Sequence, residues 1–149
     1  MQVTPEYEEA TEFKMLAKEI VKKHDVKFAG IDLELIKAVM IVNKDRSESN
    51  DKYYDIITVK EPVRSDCPFA FYIVIYQSDW EGFDKKHKLL LISKALCAIP
   101  LDSDGEMEEG CVNSPDMKDF ATMLRTFGPD YLIKDDVPDI LLDDIKWKD

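Results

Sequence analysis

The stretch from Leu89 to Ala98 constrains this chain more than any other. Leu89, Leu90, Leu91, Ile92, Ala95, Leu96 and Ala98 point in nearly every direction around a helix. A helix that is apolar all round has to be wrapped by other elements. Asp84 is placed to cap it and Pro100 to stop it, which predicts a buried helix over about 84–98. With 149 residues, 45% of them hydrophobic and 34% charged, the chain is long enough and globular enough to supply the wrapping.

The wrapping elements are legible as patterns. Thr4-Pro5-Glu6 offers a cap hydroxyl, a proline at the first helical position and an acid in the first turn. Tyr7, Ala10, Phe13, Leu16, Ala17, Ile20 and Val21 follow at helical spacing, which predicts a helix over 5–24 with His24 at its end. Ile36–Val42, Tyr53–Val59 and Phe69–Tyr76 read as strands, the last being the most apolar and therefore central. The short connections favour antiparallel neighbours. Lys85, Lys86, His87 and Lys88 read as a solvated first turn of the buried helix. Ser114-Pro115-Asp116 opens a further helix carrying Met117, Phe120, Met123, Leu124 and Phe127, closed by Gly128-Pro129. A short helix through Ile140, Leu141 and Ile145 to Trp147 ends the chain. The expected architecture is one α+β domain over 1–149. It has an N-terminal helix, a three-stranded, mainly antiparallel sheet, the buried central helix and C-terminal helices.

Charge narrows the function. Residues 1–60 carry 12 acids and 10 bases, whereas residues 61–149 carry 19 acids and 10 bases, and the total is −11. That balance argues against direct nucleic-acid binding. No apolar run nears the ~20 residues of a membrane helix, and the acidic N-terminus lacks the pattern of a signal peptide. Three cysteines, Cys67, Cys97 and Cys111, have no metal or redox spacing, which fits reduced thiols in a cytoplasm. The acids cluster at Asp102, Asp104, Glu106, Glu108 and Glu109, and again at Asp135, Asp136, Asp139, Asp143 and Asp144. Two readings stand: a solvated loop and tail, or a negative surface that steers a basic partner.

The order of elements, with Leu-Leu-Ile-Ser-Lys-Ala-Leu-Cys-Ala-Ile at 90–99 and Asp116-Met117-Lys118-Asp119-Phe120 after the acidic loop, resembles the phage metallopeptidase family, a zincin-like group. The likeness runs from Phe13 to about Trp147. The resemblance implies a zincin-like fold in which the buried helix carries His-Glu-x-x-His. Zincin chemistry needs two histidines four residues apart on one helical face, and a glutamate as base on the metal-bound water. Carried over by position, the first histidine falls on Ser93, the glutamate on Lys94, the second histidine on Cys97 and a third, downstream histidine ligand on Pro115. These positions have lost the catalytic chemistry, so no catalytic residue, no metal and no cofactor is expected.

A Ser93–Lys94 nucleophile pair is disfavoured because adjacent helical residues diverge by about 100°. Cys97 with His87 is disfavoured because ten residues separate face and height, and a cysteine in an apolar helix is ordinarily a small buried hydrophobe. Lys94 is expected to reach solvent along its stem. Trp80 and Trp147 read as core residues before interface anchors.

The implied function is a non-enzymatic phage or mobile-element protein that binds and inhibits a host factor in the host cytoplasm. The partner would be a basic or nucleic-acid-binding host protein, such as a CRISPR effector, met through Asp102, Asp104, Glu106, Glu108, Glu109, Asp135, Asp136 and Asp139. The alternatives are a divergent zinc metallopeptidase with ligands among His24, His87, Cys67, Cys97 and Cys111, or a phage housekeeping or assembly protein.

Overall fold

The computed structural model describes residues 3–113 and 120–148. Strand β1, Tyr7–Glu9, precedes helix α1, Thr11–Lys23, and a 3-10 turn at Leu33–Leu35 leads into β2, Ile36–Ile41. Strand β3, Asp55–Thr58, a single helical turn α2, Val63–Asp66, and β4, Phe71–Tyr76, complete the sheet. Helix α3, Gln77–Gly82, runs straight on from β4, and α4, Lys85–Cys97, and α5, Ala121–Phe127, follow. No described helix is long and apolar enough to cross a membrane.

The N-terminal helix starts later than the local signals predict. Thr4-Pro5-Glu6 does not cap it; instead Tyr7 pairs with Ile41 and Glu9 with Val39 in antiparallel register. The Ala10 amide donates to Ala38 O at 3.0 Å, the Val42 amide donates to Glu6 O at 3.0 Å, and the Glu6 amide donates to Asn43 Oδ1 at 2.8 Å. Sheet hydrogen bonds on both sides of the segment outweigh a helix-start propensity worth only fractions of a kcal/mol per residue. His24 is the C-cap, as its position suggests.

The sheet also departs from the expected meander. It has four strands in the order β1-β2-β4-β3. β2 and β4 are parallel, with Ile36 opposite Phe71 and Ile41 opposite Tyr76, while the β1–β2 and β3–β4 pairs are antiparallel. The chain goes out to the edge at β3 and comes back inside it, so β4 sits between β2 and β3. Short connections therefore coexist with a parallel central pair, because the intervening strand belongs to the same sheet. β4 is an inner strand, as its apolar run Phe-Tyr-Ile-Val-Ile-Tyr suggests.

Alternation sorts the two faces. Ile36, Ala38, Phe71, Ile73 and Ile75 join the main core with Phe13, Leu16, Ala17 and Ile20 of α1 and Leu89, Leu90, Leu91, Ile92, Ala95 and Leu96 of α4. Ile41, Val74 and Tyr76 form a separate small cluster with Val39 on the other face. Helix α4 is enclosed as predicted: Leu89, Leu90, Leu91, Ile92, Ala95 and Leu96 are all buried. Glu12 ties the helices at their rim, accepting from Trp80 Nε1 and from Lys88 Nζ, each at 2.8 Å, and these bonds, led by Lys88, hold its carboxyl below the usual glutamate range.

The tail from Ile140 to Trp147 is not a helix: a turn at 140–142 and a bend at 143 lead into irregular chain. It is strapped across the end of α1: Lys23 Nζ donates to Leu141 O and Asp143 O, and His24 Nε2 lies 2.7 Å from Ile140 O. The predicted start of the helix at Ser114-Pro115-Asp116 lies outside the described residues; its end at Gly128, with φ of +78°, is where the sequence places it.

Candidate functional site

Helix α4 carries Ser93, Lys94 and Cys97, the positions to which the resemblance assigns zincin chemistry, and Asp84 anchors its start. The Asp84 carboxylate accepts from the His87 amide at 3.0 Å and faces His87 Nδ1 at 2.5 Å, which holds the Asp84 carboxyl below its ordinary value. His87 Nε2 lies 2.5 Å from Lys134 O. His87 is therefore a buried pin between α4 and the segment after α5, not part of a solvated turn as the lysines around it suggest. Three long cations beside it screen its character at the level of sequence.

Ser93 is completely buried, and its Oγ donates to Leu89 O at 2.9 Å within the helix. Lys94 is 4% exposed, with Nζ 5.9 Å from the centre of the Tyr131 ring. The expectation that its amine escapes to solvent is overturned: the side chain is buried, with the Tyr131 ring beside its Nζ. Cys97 is half-buried and lines a cavity at the end of the helix, so it is not the enclosed small hydrophobe that its neighbours imply. Pro115, with Asp116 and Asp119, lies outside the described residues.

These residues do not fit a zinc ion. The Ser93 hydroxyl is neutral and committed to a backbone carbonyl, Lys94 stands where the resemblance puts the base, and Cys97 offers a single thiol. The alternative ligand set fares no better. His24 is held between Ile140 O and the indole of Trp147, which donates to His24 Nδ1 at 3.3 Å, while Cys67 lies 3.8 Å from the Tyr72 hydroxyl. Among the described residues no three His, Cys, Asp or Glu side chains gather as a metal would require.

The acidic segment after α4 is more ordered than a solvated loop. Leu101 bridges Met107, the Asp102 amide donates to Glu106 O at 2.7 Å, and the Glu108 amide donates to Pro100 O at 2.8 Å. The Asp102 carboxylate accepts from the amides of Asp104 and Glu106. Gly105 packs on Gly30, whose φ is +88°, so closely that a Cβ on Gly30 would collide with the Gly105 carbonyl oxygen. Glu109 pairs with Arg64 at 2.7 Å, an exposed bond that raises the already high guanidinium pKa further. Asp104, Glu106 and Glu108 stay exposed, and among the described residues their carboxylates enter no ion pair.

The second acidic cluster divides. Asp135 and Asp136 are exposed. Asp139 is 6% exposed and accepts from the amides of Leu141 and Leu142 at 2.9 and 3.0 Å. It caps a turn of the tail and is withdrawn from any partner surface, because a short carboxylate near two free amides satisfies them first. Tyr131 is buried. Trp80 is buried as well, and half-buried Trp147 packs edge-on against His24, Phe28 and Phe127.

With this geometry in view, comparison with protein families is informative. A family described as putative phage metallopeptidase matches residues 5–143. The chain belongs to that phage metallopeptidase family. No curated protein and no solved structure matches it.

Proposed function

We propose that this chain is a catalytically inactive member of its family, on a zincin-like version of the α+β fold, and that its work is binding. The observation that carries the reading is Lys94: a buried ammonium on the central helix, at the position where the resemblance places the glutamate base. A cation there repels a divalent metal and cannot accept a proton from metal-bound water. Ser93, committed to Leu89 O, supports the same conclusion one residue away.

The binding function rests on the exposed carboxylates of Asp102, Asp104, Glu106, Glu108, Asp135 and Asp136 on a chain of net charge −11. An ordered hairpin presents the first four in a fixed arrangement, which lowers the entropic cost of association. The partner in this reading is a basic or nucleic-acid-binding host protein that the phage protein inhibits, with a CRISPR effector the defence complex whose positive channels such a surface suits.

Two measurements test the proposal together. Metal analysis of the purified, dialysed protein should find no stoichiometric zinc, and a basic host protein should be captured in low salt and lost in high salt. Zinc retained at one per chain would overturn the inactive reading. Capture that ignores both salt and neutralisation of Asp104, Glu106 and Glu108 would overturn the acidic-surface reading.

A further inference from the structure

The chain has two histidines, and each ties the C-terminal segment to the end of a helix. Their partners demand opposite protonation states. His87 Nδ1 faces the Asp84 carboxylate and Nε2 faces Lys134 O, both at 2.5 Å. A carboxylate and a carbonyl only accept, so His87 makes both bonds as the doubly protonated ring. His24 Nε2 lies 2.7 Å from Ile140 O, which fixes a proton on that nitrogen. The Trp147 indole donates to His24 Nδ1 at 3.3 Å and has no acceptor of its own, so Nδ1 has to be bare. His24 therefore makes both bonds only as the neutral ring protonated at Nε2.

We infer that His24 is a pH-sensitive latch: a proton on Nδ1 sets two N–H donors against each other and frees the Trp147 end of the tail, while the rest of the strap stays in place. Nε2 keeps Ile140 O in either state, and Lys23 Nζ keeps Leu141 O and Asp143 O at 2.6 and 2.8 Å, so the tail hinges after Asp143. What lifts is the indole packed edge-on against Phe28 and Phe127, at ring-centre distances of 5.6 and 5.4 Å, and its departure opens two buried rings to water. An exposed bond from the Lys148 amide to Thr126 Oγ1 remains to hold that end. Histidine is the side chain that ordinarily changes charge between about pH 5 and 8, so mild acid acts here before it reaches the carboxylates. Among the described residues no acid pairs with the His24 ring to offset a second proton. Lys23 and Lys27 stand beside it, and Lys27 Nζ lies 5.5 Å from the Trp147 ring. On the tail, Asp139 and Asp143 accept from tail amides, while Asp25, Asp144, Lys146 and Lys148 are exposed. His87, already a cation, keeps Lys134 O as pH falls, which confines the release to the end of the tail.

The two tryptophans supply the readout, because isotope-labelled full-length chain gives two indole N–H signals in a nitrogen–proton NMR spectrum. Trp80 is the internal reference, since its indole donates to a Glu12 carboxyl held below the usual glutamate range. Between about pH 8 and about pH 5.5, broadening of the Trp147 signal by an uncharged gadolinium chelate should rise about fivefold, the equilibrium weight of one hydrogen bond. The Trp80 signal should not change. The imidazole signals should show His24 protonated at Nε2 alone at the upper pH, and His87 doubly protonated at both. His24→Asn keeps an acceptor near the Nδ1 position and cannot titrate, so it should abolish the step. Its Trp80 signal reports whether the variant is folded, and the parent's own titration tests the latch without it. Equal protection of Trp147 at both pH values would overturn the inference. So would joint exposure of Trp80 and Trp147, or a step that survives in folded His24→Asn.

Discussion

Single residues at the start and middle of α4 decide what the helix can do. Asp84 caps it through the His87 amide, so Asp84→Ala should cost about 1 kcal/mol, as loss of a side-chain cap typically does. Because folding holds this carboxyl below its ordinary value of 3.8, its extra stabilisation is full above that value. It is lost as pH falls through the lower native value. Urea midpoints between about pH 2 and 6 should show that dependence in the parent and a weaker one in Asp84→Asn, which keeps an acceptor but no charge. Lys94 is enclosed, so Lys94→Ala should cost roughly 2–4 kcal/mol through the lost stem, comparable to Leu91→Ala, while Lys94→Met should recover most of it. A Met variant as unstable as the Ala variant would show that the ammonium itself holds the packing.

At the scale of elements, α4 is both the centre of the core and the frame of the candidate site. Its i, i+4 spacing still places positions 93 and 97 one turn apart on one face. Ser93→His, Lys94→Glu, Cys97→His and Pro115→His together should therefore recover measurable zinc affinity by competition with a chelating dye. A folded quadruple variant with no zinc affinity would show that the positions carried over from the family are out of register. The hairpin after α4 is the other functional element. Its attachment is backbone-to-backbone at Gly30 and Gly105, and Met107 Sδ also receives the Asp32 amide at 3.1 Å.

For the whole molecule, charge outweighs any single contact. The segment 61–149 carries nine more acids than bases, and much of the excess sits on the hairpin and the start of the tail. Exposed carboxylates of this kind raise association rates by long-range attraction, screened over a Debye length of about 8 Å at physiological ionic strength. Changing Asp102, Asp104, Glu106, Glu108 and Glu109 to their amides should slow association with the partner and flatten its salt dependence, measured by stopped flow or surface binding. The melting temperature should move little, because the one pair lost among the described residues, Arg64–Glu109, is exposed and screened by solvent. Glu8 serves as the control, an exposed acid on β1 away from the hairpin and tail, whereas Glu9 and Glu12 are paired with Lys37 and Lys88.

The sequence by itself determined the elements whose signals are local and dense. The run at 89–98 could only be a buried helix, Asp84 could only be its cap, and Phe71–Tyr76 was bound for the inside of a sheet. The same local density made the family resemblance legible. Tertiary structure decided everything that depends on what lies opposite. Tyr7–Glu9 became a strand because β2 offered it hydrogen bonds that a helix start could not match. β4 came to lie parallel to β2 because β3 took the edge. His87, between two lysines, is pinned to Lys134 O, 47 residues away; Lys94 is buried beside Tyr131, 37 residues away; and Asp139 turned inward to cap a backbone. The cavity beside Cys97 draws Lys27, Leu96 and Arg125 from three separate stretches of chain. Periodicity reports which face of an element is apolar; only the packed structure reports what covers that face, and burial of a long or charged side chain is set by the cover.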